Sequence, residues 1–377
     1  MDRDYYFSIL KDLVGMNTIS ANVGDIDRTN RPLIEYAERF LKDCGFEVSI
    51  LDIDVLPGKN NLYATWGEGE GGLLLSGHSD TVPCKSEDWS SDPFTLTLRG
   101  NEAFGLGSCD MKGFIALMLC FARQASELGI KKRLGILITA DEESSMDGAI
   151  DFAKKCRDRY DLIVIGEPTR LEPMVSHKGY MCNEFVFTGK SCHSSNPALG
   201  VNAIDIAYDA ITMLKELQAQ FMSYKDERFE VPYPTINVGA IHGGDCSNRL
   251  CDEARILFDV RLMGEMNAGK VNPLLQGIVD RLNEKYPGRT AFNKIYADID
   301  CFENKNREVI AKVEKLVECK SICEGYCTEA SMLQALGSVV VYGPGSIKFA
   351  HKVDERIDLA EVETGYERLL RVIKEFA

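Results

Sequence analysis

The chain has 377 residues, 45% hydrophobic and 27% charged, the make-up of an ordinary globular protein with room for two domains. Its formal net charge of -15 argues against nucleic acid or an anionic membrane as the main partner and tolerates a cationic small molecule. The longest apolar run, Phe114 to Ala122, is too short to span a bilayer, Met1-Asp2-Arg3-Asp4 is unlike a signal peptide, and thirteen cysteines sit in no small disulfide scaffold, so a cytoplasmic protein with reduced thiols is expected.

Residues 3–14 and 31–44 carry apolar side chains at helical spacing (Ile9, Leu10, Leu13; then Leu33, Ala37, Phe40, Leu41), and Gly45 is placed to stop the second helix. Phe46 to Ile53 alternates apolar and polar residues like a half-exposed strand, and Asn60 to Trp66 predicts another. Gly67-Glu68-Gly69-Glu70-Gly71-Gly72 spells a dinucleotide fingerprint but opens a strand rather than a helix, so a hairpin turn is expected. Leu73-Leu74-Leu75 has no polar alternation and predicts a strand buried on both faces, as in a parallel sheet covered by helices. It runs into His78 and Asp80, two residues apart and so on one side of an extended chain. A histidine at the carboxyl end of a buried strand, with a carboxylate to hold its other ring nitrogen, is how a metal ligand is built and supported.

Asp110 lies in the turn that opens a core helix at Phe114–Arg123, where backbone donors can orient a carboxylate. Leu134 to Ala140 predicts a second buried strand ending in Asp141-Glu142-Glu143, and Asp161 to Ile165 a third ending in Gly166-Glu167. Val339 to Tyr342 predicts a fourth, followed by a loop to His351. Between 181 and 297 the pattern becomes strand-helix-strand-strand-helix-strand, the ferredoxin-like order. The expected fold is therefore α/β: a catalytic domain over 1–180 and 298–377, with a mixed, largely parallel sheet flanked by helices, interrupted by a ferredoxin-like domain over 181–297.

Ligands of an open α/β sheet bind beyond the carboxyl ends of its strands, and the chain puts a His, Asp or Glu at each of those ends. His78, Asp110, Glu143, Glu167 and His351 form a set of imidazoles and carboxylates that suits zinc, or cobalt or manganese, better than calcium or a thiolate metal. Five donors suit two metals, each with one His and one Glu, sharing Asp110 and activating a water between them. Glu142, beside a ligand but not needed as one, is the natural general base. Any one of these residues alone fits a structural or solvated role, and Glu142-Glu143 alone fits a helix start; their convergence is the signal. Cys319, Cys323 and Cys327 are four apart, a spacing that also marks one helix face and differs from iron–sulfur motifs, so core or partly exposed thiols are expected.

The segments Ser76-Gly77-His78-Ser79-Asp80-Thr81-Val82-Pro83, Gly107-Ser108-Cys109-Asp110-Met111-Lys112-Gly113, Asp141-Glu142-Glu143 and Gly166-Glu167-Pro168-Thr169 resemble the aminoacylase and desuccinylase family of two-zinc amidohydrolases. Cys192-His193-Ser194-Ser195, Ser247-Asn248-Arg249, Tyr326-Cys327-Thr328-Glu329-Ala330 and Gly343-Pro344-Gly345-Ser346 extend the resemblance over essentially the whole chain. It implies that the inserted domain is a lid through which the protein dimerises, and that each subunit holds two Zn2+, with Co2+ or Mn2+ able to substitute. His78 and Glu167 would bind one metal, Glu143 and His351 the other, with Asp110 bridging. Asp80 would orient His78, Glu142 would act as base, and His193 would reach across the dimer to the oxyanion. Lys178, Asn248 and Arg249 match positions that hold the substrate's carboxylate or the reacting carbonyl, and Thr328 and Glu329 lie in a substrate loop where Glu329 could meet a cationic amine. The implied reaction removes the acetyl group from the α-nitrogen of ornithine. Acetylcitrulline, a succinylated amine or a dipeptide is the alternative substrate, and a metal-binding scaffold without turnover the alternative class.

Overall fold

A computed structural model describes residues 1–21 and 25–377. The chain divides into two units. The first comprises Met1–Val175, Asn304–Ile322 and Thr328–Ala377, and the second Ser176–Glu303 with Cys323–Cys327.

The first unit is organised on a sheet whose strands run in the order Glu47–Asp52, Asn60–Trp66, Leu134–Thr139, Leu73–His78, Tyr160–Ile165 and Gly337–Val341. Its first two pairings are antiparallel and the next three parallel. The leucine strand lies inside the parallel part, with Leu75 opposite both Ile136 and Val164, and every one of its residues is buried. That burial explains its unbroken apolar run, because helices cover it rather than water. One cover is the helix Lys112–Arg123, whose residues 112–122 are all buried, and whose Ile115 and Met118 pack against Gly77. Parallel pairing brings the carboxyl ends of four strands to one edge, the edge at which His78, Asp141, Gly166 and Tyr342 leave the sheet.

The glycine run does not make a hairpin. Asn60–Trp66 and Leu73–His78 are separated by Leu134–Thr139, so Gly67–Gly72 crosses the end of that intervening strand. The glycines serve this close passage: Gly72 takes φ +93, a side chain there would collide with the Arg133 carbonyl, and the next N–H, of Leu73, donates to that carbonyl at 2.9 Å. A turn composition reports the reversal of the chain and is blind to a strand that later inserts beside it.

In the second unit the strands Gly179–Thr188, Thr235–Gly243, Glu253–Leu262 and Thr290–Lys294 form an antiparallel sheet. Numbered along the chain, their order is 2-3-1-4, with helices Ala203–Phe221 and Ala268–Lys285 in the connections, which is the ferredoxin-like arrangement. Gly179–Thr188 alternates buried and half-buried residues, so one face packs on the helices. Asn202 and Asn267 cap the two helices by accepting the N–H of Ile204 and Lys270.

The cysteine spacing marks no helix face. The helix Arg307–Val317 stops before Cys319, while Cys323 lies in the short strand Ile322–Glu324 and Cys327 in the loop beyond it. All thirteen cysteines are free. No helix among the described residues is long and apolar enough to cross a membrane.

Candidate active site

The first unit's four strand ends gather a cluster of acids and imidazoles. His78 is 1% exposed, and its ring is gripped from both sides. Nδ1 lies 3.0 Å from the Asp80 carbonyl oxygen and Nε2 lies 3.1 Å from Asp110 Oδ1. A carbonyl can only accept, so Nδ1 carries a proton and a neutral ring presents the lone pair of Nε2 to the Asp110 carboxylate. Two acceptors at that distance need a proton or a cation between them. Burial works against the charged ring, but the bond to Asp110 and the charge of Glu167 raise the His78 pKa well above its ordinary value.

Asp80 thus orients His78 through its main chain. Its carboxylate, 3.7 Å from Nδ1, accepts the N–H groups of Glu142 at 3.2 Å and Glu143 at 3.0 Å. One residue therefore fixes both the His78 ring and the turn that bears the two glutamates.

Asp110 is placed between the histidines, with Oδ1 toward His78 and Oδ2 3.3 Å from His351 Nε2. His351 Nε2 also lies 2.8 Å from Glu143 Oε1. Burial favours a protonated Asp110, but hydrogen bonds from His351 and His78 win and hold it below the usual carboxylate range. For His351, burial is likewise overcome by Asp110 and Glu143, which push it up to about 11. Its side chain is 46% exposed, so the cluster opens to solvent on this side and a substrate can reach it.

Glu167 is 5% exposed, and its Oε1 is buried without a hydrogen-bond partner. Burial, then the charge of Asp110, raises the Glu167 pKa well above its ordinary value. Glu142 is raised by burial and then by Glu167, and Glu143 by burial and then by Asp110. The strongest influences on these carboxyls are burial, one another and the imidazoles; no lysine or arginine is among them.

Ligand atoms of His78, Asp110 and Glu167 lie within 4.8 Å of one another, and so do those of Asp110, Glu143 and His351. Asp110 is common to both groups. A third group, His78 with Glu142 and Glu143, puts Glu142 beside both. Buried acids that form no ion pair with a lysine or arginine among the described residues, an orphaned carboxylate oxygen and two imidazoles facing acceptors are the donor set that divalent zinc-like cations fit.

Two supports escaped sequence reasoning. The N–H groups expected to orient the Asp110 side chain go elsewhere: those of Gly107, Cys109 and Asp110 donate to the Glu355 carboxylate at 3.1, 2.9 and 3.0 Å. Burial pushes Glu355 up to about 8. Lys59, 6% exposed, donates to Asp141 at 2.5 Å and to Asp27 at 2.7 Å. Asp141 adopts φ 66, so it turns toward Lys59 while Glu142 and Glu143 enter the site.

The substrate-loop pair also belongs to the first unit. Glu329 is 1% exposed with neither carboxylate oxygen in a close hydrogen bond, and burial pushes it up to about 7 against the nearby Thr139 hydroxyl. Its charge is felt by Glu142 and Glu167. The Thr328 hydroxyl accepts the Ala330 N–H at 3.2 Å and starts the short helix Ala330–Leu333.

In the second unit His193, Asn248 and Arg249 come together. His193 and Arg249 form a β-bridge, and the Asn248 carbonyl accepts the Ser194 N–H at 3.0 Å. The Ser195 N–H donates to His193 Nδ1 at 3.2 Å, so the proton of the neutral ring is on Nε2, which is a donor. Arg249 is paired with Asp245. Lys178 has partners of its own. It is 3% exposed, its Nζ donates to the Tyr233 carbonyl at 2.6 Å, and it lines a cavity of about 190 Å³ with Phe229, Thr235 and Arg261.

The family model described as Peptidase family M20/M25/M40 matches residues 74–375. An acetylornithine deacetylase from Shigella sonnei (strain Ss046) is 40% identical over 373 residues, which is 98% of this chain and 97% of that protein. Among solved structures, a tripeptidase from Staphylococcus aureus subsp. aureus Mu50 has a TM-score of 0.78 at 19% identity, covering 100% of this chain and 99% of its own. An M20 family metallo-carboxypeptidase from Sulfolobus solfataricus has a TM-score of 0.78 at 16% identity, with the same 100% and 99% coverage. The two solved structures share the fold; the deacetylase from Shigella sonnei shares two fifths of the residues along nearly the whole length.

Proposed function

The chain belongs to peptidase family M20/M25/M40, and on that premise we propose that it hydrolyses N2-acetyl-L-ornithine to ornithine and acetate, a step toward arginine. It is a metallo-amidohydrolase. The observation that carries the reading is the pair of ligand groups sharing Asp110, with Glu142 beside both. When bound, two zinc ions, or cobalt or manganese, held by His78, Glu167 and Asp110 on one side and by Asp110, Glu143 and His351 on the other, would acidify a water and polarise the amide carbonyl.

The chain's own residues do the rest. Glu142 takes the proton of the attacking water and delivers it to the leaving amine nitrogen. Asp80 keeps that glutamate in place through its bond to the Glu142 N–H. His193, with its proton on Nε2, donates to the oxygen on which charge develops. Arg249, Asn248 and Lys178 are the proposed holders of the α-carboxylate and carbonyl; Arg249 would exchange Asp245 for the substrate. Glu329, buried and without a close hydrogen bond, is the proposed partner of the cationic side-chain amine.

A homodimer through the second unit is part of the proposal. Thr235–Gly243 is the end strand of its sheet and leaves one edge free to pair. Ile204 and Tyr208 on one helix face and Ile241 on that strand are 43%, 70% and 54% exposed, an apolar surface suited to a second copy. Thirteen free cysteines suit the reducing cytoplasm.

The test is free-amine release from N2-acetylornithine by purified protein with added zinc or cobalt, beside acetylcitrulline, acetylmethionine and a dipeptide. Preference for acetylornithine is expected. Preference for another substrate would keep the chemistry and discard the specificity. No turnover by a metal-loaded protein would contradict an enzyme altogether.

A further inference from the structure

We propose that Glu355 is a positioning residue that joins the two halves of the metal site, setting the bridging Asp110 against His351. The inference rests on the metal site proposed above. Glu355 lies four residues after His351 in the same loop and is 1% exposed. Its carboxylate collects three main-chain N–H groups from the Asp110 turn: Oε2 takes Gly107, and Oε1 takes both Cys109 and Asp110. Its own carbonyl accepts the Gly105 N–H at 3.0 Å. A carboxyl group held by three backbone donors of one turn is a rigid link, because each donor is fixed by the conformation of the turn. The buried Lys112 Nζ donates to the Met16 carbonyl at 2.8 Å.

Among the described residues no helix or strand ties the Asp110 turn to the His351 residue itself; Arg356–Asp358 pairs with Glu102–Phe104 only further along. Glu355 therefore decides whether Asp110 and His351 stand close enough to share one cation. A supporting residue behind a ligand typically changes metal affinity by about 10- to 100-fold.

The experiment uses the full-length protein stripped of metal and titrated with cobalt(II) chloride, read by calorimetry and by the visible absorption of bound cobalt. Thermal unfolding of each metal-free variant is recorded alongside. In Glu355→Gln the amide oxygen can still serve Cys109 and Asp110, but its NH2 meets the Gly107 N–H, donor against donor. This variant should bind the weaker equivalent about tenfold less tightly, with an altered spectrum, and Glu355→Ala about a hundredfold less tightly or not at all.

Asp158→Asn is the control. That carboxylate holds Tyr63 at 2.6 Å and Arg133 at 2.5 Å near the start of Tyr160–Ile165, the strand whose other end leads to Glu167. A control that loses as much thermal stability yet keeps cobalt affinity and spectrum would support positioning. Equal weakening in the control, or unchanged binding in Glu355→Gln and Glu355→Ala, would reduce Glu355 to a structural residue and overturn the inference. Should Glu355→Ala fail to fold, Glu355→Gln decides. A parent protein that takes up no cobalt would overturn the metal site, and this inference with it; a parent that binds beside unaffected variants would overturn Glu355 alone.

Discussion

Asp141 and Glu142 are neighbours in the chain and opposites in their surroundings. Asp141 belongs to a cluster that is complete: Lys59 at 2.5 Å, the Ser145 hydroxyl at 2.7 Å and Ser20 all donate to it, and Lys59 also serves Asp27. Burial alone would favour the protonated acid, but these donors hold Asp141 below the usual carboxylate range. Glu142 faces burial and then the charge of Glu167, and is raised instead. Both clusters are built around buried acids of the same unit. They differ in that the first pairs its acids with a lysine, whereas among the described residues the acids of the second meet only the imidazoles of His78 and His351. Uncompensated charge in a buried site is costly unless something supplies the opposite charge, so the second cluster is shaped to receive a cation.

The most damaging way to perturb the open cluster is to remove its free base. Glu142→Gln should lower kcat by about 10²- to 10⁴-fold, the usual contribution of a positioned base, while bound metal measured by atomic emission stays at the parent level. Loss of metal together with activity would instead make Glu142 a ligand, which its grouping with His78 and Glu143 makes a real alternative.

The reverse perturbation opens the closed cluster. Lys59→Met leaves Asp27 and Asp141 without their cation, and breaking a buried pair typically costs about 3–5 kcal/mol. Urea unfolding of the metal-free protein should show that loss. A change under about 1 kcal/mol would mean that Lys59 is not what balances Asp141.

The smallest expected effect concerns selectivity. Glu329→Gln keeps the shape of the loop and removes one charge, so kcat/KM for acetylornithine should fall about 10- to 100-fold more than for acetylmethionine, the size of one hydrogen bond to a charged group. An equal fall on both substrates would place Glu329 among the supports of His78, whose charge it feels, rather than at the substrate's amine.

The same contrast explains what was legible in the sequence. His78, Asp110, Glu143, Glu167 and His351 announce themselves because each follows an apolar run or a short motif, and a parallel sheet must bring such ends to one edge. Glu355 and Lys59 give no such sign: one acts on main-chain N–H groups about 245 residues away in the chain and the other on an acid 82 residues away, and neither pairing leaves a local pattern. Asp80 was visible as a support of His78, but not its grip on the Glu142 and Glu143 N–H groups, since hydrogen bonds to main chain carry no sequence signature. The glycine run and the cysteine spacing misled for a related reason. Each is a local pattern whose meaning was set by distant chain: the strand Leu134–Thr139 inserted beside Asn60–Trp66, and the helix that ends at Val317. In the second unit the alternation of Gly179–Thr188 and the order of elements were enough, because a sheet with one covered face writes its period directly into the chain.

The most direct measurement is the number of zinc ions retained per chain after equilibrium dialysis, for the parent protein and for Asp110→Asn. Two ions per parent chain, with Asp110→Asn losing at least one, are the predicted result. Retention of none by the parent, or equal retention by the variant, would contradict the view that the open cluster is a shared metal site.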